Sequence, residues 1–509
     1  MRIRVHAARK WPNQSGPDSL ILNPDNWNDY GYTTTYALWV RISNELSEIG
    51  DVKFARPGLE TNEYPLEPGT YDNRLPDDVF SLGQGVEYYE KAHSLSELTG
   101  TQILEKLNDI ALNRYNERAS ALKERATEIS LLRSVSLRTV EEQFSRIAHG
   151  GSRVVGYAFE YNHPLSSKES SNLTFTVDPE SNPPTNIHVL IGRNGTGKTK
   201  LLNRLARSTA DPVSETAVTH GRVADLESWD GYPFSNVVSV SFSAFDEFDT
   251  ATRTDEIRHA YVGLRSGVDP SRLKSSDELE GDLERSLDEI HAAGTKPRFL
   301  ELVEILNNDP NFSKFEVSNW PEGLGNEQRF LRDEPPFDLA RAMASFREMS
   351  SGHKIVLLTV AKLVELTTER SLVLIDEPES HLHPPLLSAF MRILSELLNE
   401  RNGVAIVATH SPVVLQEVPS SCVWILERID GRLDPRRPDQ ETFGESLGLL
   451  TRDVFGLEVS GSGFHREISE AVQHYSTYEE VMDHFGGRLG TEARGLVQVL
   501  LAHKFLRSS

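Results

Sequence analysis

Three short stretches hold residues whose types and spacing suit phosphate chemistry. "GRNGTGKT", Gly192 to Thr199, fits G-x-x-x-x-G-K-[ST], with an apolar run before it ("IHVLIG") and an amphipathic run after it ("KLLNRLAR"). Gly192, Asn194, Gly195, Gly197, Lys198, Thr199 and Lys200 make up the predicted phosphate site. Glycines let backbone N–H groups curl around a phosphate, Lys198 reaches the outer phosphates, and the Thr199 hydroxyl suits Mg²⁺. "SLVLIDEPESHLHP", Ser371 to Pro384, ends a buried strand with Asp376, a second Mg²⁺ ligand, and Glu377, a carboxylate to orient attacking water. "VAIVATHSP", Val404 to Pro412, ends a further strand at His410, where an imidazole can touch the terminal phosphate.

A fourth stretch, "REMSSGHK" from Arg347 to Lys354, precedes an apolar helix. Ser350, Ser351 and Gly352 there offer a hydroxyl and free backbone N–H groups to an anion. The loop at Gly192 already surrounds the chain's own phosphates, so this turn is best used on the nucleotide of a second molecule. His381 and His383, with Glu377 and Glu379 nearby, invite a metal reading, but their spacing fits no known ligand pattern and a turn is expected.

These stretches need a sheet to hold them, and the chain supplies one. After Met349 apolar strands alternate with helices, the pattern of a parallel sheet with crossover helices. The fold class is therefore α/β, with a P-loop ATPase core on a mainly parallel sheet. Residues 1–150 read as an α+β region ending in a long amphipathic helix or helix pair from Gln102 to His149. Residues 151–205 read as the first half of the core, 206–345 as a mainly helical insertion with one core strand at 237–245, 346–430 as the second half and 431–509 as a helical tail. Arg114, Arg118, Arg125, Arg133, Arg138 and Arg146 recur through the long helix, as a solvated face or as a binding ridge.

Bulk properties narrow the function classes. The 509 residues are 38% hydrophobic and 25% charged, as in globular chains. A net charge of -23 argues against coating nucleic acid by bulk electrostatics. The single cysteine, Cys422, excludes an internal disulfide and reads as a core residue. No apolar run is long enough to span a bilayer and the N-terminus lacks a signal-peptide pattern, so a cytoplasmic protein without a membrane partner is expected.

The order of P-loop, "MSSGHK", "DEPESHLHP" and "THSP" resembles that of ABC-type ATPases. In that resemblance Ser350 and Gly352 match the signature element, His353 replaces its usual Gln or Glu, and "ESHLHP" looks like the D-loop of the OLD and RecF-like branch. The Q-loop glutamine is missing after "VVSVSFSAF", with Ser243 or Asp246 in its place. "SFSAFDEFD" and "ETFGESLGLLTRDVFGLEVSGSGFH" resemble the PtuA ATPase of Septu anti-phage systems, also found with retrons. The resemblance implies ATP and Mg²⁺ as cofactors, a homo-oligomer closed by an ATP sandwich, and a separate HNH nuclease partner. It also brings in nucleic acid as a partner, either DNA or a retron's reverse transcriptase and its DNA. No nuclease constellation is found in this chain, and Glu441 and Glu445 read as loop residues. A RecF or SMC-like clamp that holds DNA directly is the alternative; a transporter subunit fits less well.

Overall fold

The structure, a computed structural model, describes residues 1–7, 15–25, 28–95, 100–112, 120–164, 170–210, 220–226, 233–241, 257–266, 272–321, 336–429, 432–455 and 463–508. Its central element is a seven-stranded sheet in the order β12-β11-β13-β14-β9-β15-β16. The strands are β9 (Ile187–Gly192), β11 (Asn236–Ser241), β12 (Arg258–Gly263), β13 (Ser371–Asp376), β14 (Val404–Thr409), β15 (Val423–Ile429) and β16 (Arg432–Arg436). All pair in parallel except the β15–β16 hairpin.

The strands β9, β11, β13 and β14 are buried on both faces, which is why they read as largely apolar runs with a few buried polar residues such as His188 and Ser239. Their side chains still alternate. Val189, Ile191, Val373, Ile375, Ala405 and Val407 face the helices Ser276–Ala292, Lys296–Glu304, Ser351–Leu366 and Pro384–Glu400. Leu190, Leu372, Leu374, Ile406 and Ala408 face the helix Lys198–Ala210 and a three-stranded antiparallel sheet, β10-β7-β8. Those strands are β7 (Tyr157–Pro164), β8 (Ser170–Val177) and β10 (Arg222–Asp225).

A six-stranded sheet, β5 (Gly69–Tyr71), β1 (Arg2–Val5), β2 (Ser19–Pro24), β3, β4 and β6 (Phe80–Gly83) in that order, builds the N-terminal region. Its β3 (Thr35–Ile42) and β4 (Glu45–Ala55) are joined by Ser43 and Asn44 at φ 51° and 69°, the left-handed pair that a two-residue hairpin needs. This region meets the ATPase core through Arg146 Nη2 on Glu369 Oε1 (3.4 Å) and Gln143 Nε2 on the Glu400 carbonyl (3.3 Å).

Four expectations need correction. The long helix or helix pair over Gln102–His149 is three separate helical runs among the described residues: Gly100–Lys106, Thr127–Leu131 and a continuous run over 137–148. Ser136 starts a new segment by accepting the Thr139 N–H, so the apolar pattern reported burial rather than continuity. Second, residues 206–345 contain β10 and β12 as well as β11; β10 has only four residues and β12 opens on Arg258-His259, so neither reads as a clean apolar run. β11 itself ends at Ser241, and 242–245 lie outside the described residues. Third, the core sheet continues through β16 before the helical tail, whose helices Gly463–His474, Tyr478–His484 and Thr491–Ser508 share a small core of their own. Fourth, two of the recurring arginines, Arg133 and Arg146, are neither a solvated face nor a ridge, because each pairs with a buried carboxylate. Arg133 pairs with the buried Asp29, Arg138 with Glu142 and Arg146 with the buried Glu369.

Candidate active site

Every strand of the parallel set presents its carboxyl end to the same edge, and the predicted chemistry gathers there. β14 separates β9 from β13, so the P-loop and Asp376 stand two strand spacings apart, roughly 10 Å. That gap suits a phosphate chain with its cation.

The loop after β9 has the backbone its glycines allow. Gly195 and Gly197 have φ 81° and 94°. At Gly192 the requirement is space, because a Cβ would lie 2.3 Å from the Leu426 carbonyl on β15. Lys198 is buried, and its Nζ donates to the Gly192 and Arg193 carbonyls at 2.9 and 3.3 Å. Burial pulls its ammonium below the ordinary value, while Glu377, Asp376 and Glu379 act the other way. Thr199 follows, half-buried, and Asn194 and Lys200 are exposed. Arg428 braces the loop by donating from Nε to the Thr196 carbonyl at 3.1 Å.

Beside the loop lies a cavity of about 110 Å³ lined by Lys200, Arg204, Arg428 and His163. Arg204 donates to His163 Nε2 at 2.9 Å. Burial and the three cations around it push the His163 imidazole down to about 4, so it stays neutral and accepts. The cationic character of this wall comes from the lysine and arginines alone.

Asp376 closes β13, 2% exposed, in register with Ala408 and Ser241. Glu377 follows at φ 47°, a left-handed conformation that is strained for a side chain of this size. Its carboxylate is a third exposed and lies 3.5 Å from His410 Nδ1. His410 is held from the other side. Glu379 Oε1 accepts the His410 N–H at 2.8 Å and the Thr409 hydroxyl at 2.6 Å, and lies 3.3 Å from His410 Nδ1. Thus Asp376, Glu377 and His410 are brought together with Lys198. A buried carboxylate, a threonine hydroxyl and nearby phosphate oxygens form the hard-oxygen set that Mg²⁺ prefers, so Asp376 and Thr199 fit that ion. The cation would neutralise phosphate charge. Glu377, not buried and beside His410, is free to hold a water by its proton.

Ser350–Gly352 are placed against the D-loop. Ser350 is the N-cap of the helix Ser351–Leu366, whose start lies at the carboxyl edge of the sheet because the helix leads back into β13. Ser350 and Ser351 are exposed, while Gly352 is buried so closely that a Cβ would sit 2.6 Å from the His381 carbonyl. His383 caps the helix Pro384–Glu400 by accepting the Leu386 N–H, and Glu377 and Glu379 share no ligand cluster with it. The metal reading of His381, His383, Glu377 and Glu379 together therefore does not hold among the described residues. Ser243 and Asp246 lie outside the described residues. Glu441 is a loop residue whose carboxylate accepts the Ser420 N–H at 2.7 Å. Cys422 is buried and unpaired with sulfur.

Protein ea59 of Escherichia phage lambda is 38% identical over 506 residues, spanning 96% of this chain and 95% of its own length. The chain belongs to the ea59 family. Residues 225–416 also match the family described as "AAA domain, putative AbiEii toxin, Type IV TA system", a span that takes in Ser350–Gly352, Asp376, Glu377 and His410 and begins after the P-loop. Among solved structures, cbiO1 of Clostridium perfringens, part of the ABC transporter complex cbiONQ, covers 55% of this chain and 88% of its own, at 16% identity and TM-score 0.26. The ADP conformation of MJ1267, an ATP-binding cassette of an ABC transporter, covers 60% and 96%, at 14% identity and TM-score 0.28. With its P-loop, Asp376 and intervening strand in one sheet, this ea59-family chain carries a P-loop ATPase core, of which residues 225–416 match an AAA domain. None of its described helices is long and apolar enough to cross a membrane.

Two site residues escaped the sequence reading. Glu379 was weighed only as a metal ligand, although its place two residues after Glu377 puts it back over the sheet edge. Arg428 gave no signal, because only the β9–β15 pairing brings it to the P-loop.

Proposed function

We propose that this chain is an ATP-gated assembly ATPase of phage–host conflict, working in the cytoplasm, in which copies close over shared ATP and the assembled state controls an HNH-type partner nuclease that acts on DNA. The observation that carries this reading is the position of Ser350 and Ser351, exposed at a helix start on the sheet's carboxyl edge and locked to the D-loop through Gly352. Lys198, Thr199 and Asp376 of one copy would hold ATP and Mg²⁺, Ser350 and the Gly352 N–H of another would cover the γ-phosphate, and Glu377 would orient water with His410 beside it. The AbiEii wording of the matched family, the phage source of ea59 and the PtuA-like stretches all sit with a conflict role.

The test is the solution mass of the chain with ATP and Mg²⁺, without nucleotide, and as Ser350→Arg, each with the product of an adjacent HNH gene. Nucleotide-dependent assembly that is lost in the variant, with the HNH protein co-migrating, is expected. A monomer in every condition that ignores the HNH protein yet retains DNA would replace this reading with the DNA clamp.

A further inference from the structure

Beneath the signature turn, two imidazoles meet one carboxylate oxygen. Asp309 belongs to the inserted helices, where its Oδ1 caps the short helical segment Pro310–Ser313 by accepting the Asn311 N–H at 2.8 Å. Its Oδ2 lies 2.9 Å from His353 Nε2 and 3.2 Å from His383 Nε2. His353 is buried and the Asp309 side chain is 11% exposed, and Phe312 and Phe315 pack edge-on against the His353 ring. Burial opposes the Asp309 charge, but hydrogen bonds from His353, Asn311 and His383 outweigh it and hold the carboxyl below its ordinary value.

The remaining ring nitrogens decide where the protons sit. His383 Nδ1 accepts the Leu386 N–H as a helix cap, so its proton is on Nε2 and points at Asp309. A neutral His353 that donates to Asp309 likewise carries its proton on Nε2. Its Nδ1, 3.0 Å from Ser350 Oγ, is then an acceptor, and the Ser350 hydroxyl must be the donor. The hydroxyl that the sandwich needs for a phosphate is therefore turned inward.

We propose that Asp309 is a positioning residue for the signature turn: through His353 it sets the direction of the Ser350 hydroxyl, and so restrains the grip of this copy on the nucleotide of another. The proposal rests on the sandwich reading above. Movement of the inserted helices that withdraws Asp309 lets His353 carry its proton on Nδ1 and donate to Ser350 Oγ, which frees the hydroxyl for the γ-phosphate. The insertion thereby governs assembly without touching ATP.

The experiment is Asp309→Asn, alone and in a His353→Gln background. Because Oδ1 is occupied as a cap, the new amide NH₂ takes the place of Oδ2 and donates to His353 Nε2, forcing the proton to Nδ1, while the exposed His383, whose Nε2–H loses this acceptor, turns that nitrogen to solvent. Nitrogen-15 histidine spectra, with His353 assigned by its loss in His353→Gln, should show an Nε2–H ring in the wild type and an Nδ1–H ring in Asp309→Asn. ATP-dependent association should tighten about fivefold, the worth of one hydrogen bond no longer broken. In His353→Gln the second substitution should change nothing. Equal effects in both backgrounds, or an unchanged His353 ring, would overturn the proposal. One zinc per chain in the wild type that is absent from Asp309→Asn would overturn it in favour of a metal site. Ser350→Arg separates the two readings: if that variant still assembles with ATP, the sandwich fails whatever the spectra show. If it does not assemble while Asp309→Asn associates like wild type, only the positioning role fails.

Discussion

Replacing Gly352 with alanine sets two effects of similar size against each other, and the structure says which one prevails. Gly352 is the second residue of the helix Ser351–Leu366, and on helix propensity alone alanine should stabilise by about 1 kcal/mol. The added Cβ, however, would lie 2.6 Å from the His381 carbonyl oxygen, and ordinary contact begins at 3.4 Å. Relief needs a shift of about 0.8 Å between two backbones, because neither partner is a flexible side-chain tip. Overpacking of this kind costs about 1–3 kcal/mol, so Gly352→Ala should be neutral to about 2 kcal/mol less stable. Its functional effect should be larger, because the same shift pulls Ser350 and its N–H neighbours away from the D-loop. Urea denaturation reads the first quantity; ATP-dependent mass and phosphate release read the second. A variant about 1 kcal/mol more stable than wild type, with assembly and turnover intact, would refute the close approach and the coupling drawn from it.

Glu377→Gln removes the carboxylate proposed to orient water while keeping its size, so phosphate release should fall about 10²- to 10⁴-fold while ATP still drives assembly; turnover within tenfold of wild type would assign that role elsewhere. Glu379→Ala frees Thr409 and His410 from their shared acceptor, so turnover should fall about tenfold or more with ATP affinity retained, and a loss of affinity instead would show that Glu379 serves the P-loop. Burial lifts the Glu369 carboxyl from 4.5 to about 7, so the unfolded chain ionises first as pH rises. Its contribution is fully present below about pH 4.5, declines as pH rises, and is gone above about 7, a loss of about 3 kcal/mol at most. Glu369→Gln should flatten that window in denaturation curves and be more stable than wild type at pH 8. An unchanged slope would place the titration on another group.

The central sheet was legible because burial on both faces leaves little choice of residue. The runs Ile187–Gly192, Ser371–Asp376 and Val404–Thr409 are apolar but for His188, Ser371 and the terminal Asp376 and Thr409, and the first leads into the glycine loop while the other two end on polar groups. Ser350 was legible as a helix start for a local reason, since a capping hydroxyl must sit in sequence beside the N–H it accepts. Arg428 and Asp309 were not, because they reach the site only through long-range pairing of β15 with β9 and packing of the inserted helices on the D-loop. The helix expected over Gln102–His149 failed differently. Ile103, Leu107, Ile110, Val135 and Val140 are all buried in the N-terminal core, so the apolar spacing was sound, but Ser136 spends its hydroxyl on a new start.

One run of residues touches every other part of the site. Glu377 faces Lys198 and His410, Glu379 holds the β14 end, His381 sets how near Gly352 can come, and His383 meets Asp309. The run begins with a non-glycine residue at positive φ, a conformation that costs on the order of 1 kcal/mol or more and persists only where its surroundings enforce it. Those surroundings are the contacts just named, so a change in any of them acts on the others through a backbone already held away from its preferred state. In the proposed sandwich, a nucleotide that draws Glu377 toward its γ-phosphate would therefore act on Gly352 and Asp309 as well. Reciprocity then requires that a partner pulling on the inserted helices alter how strongly ATP is held.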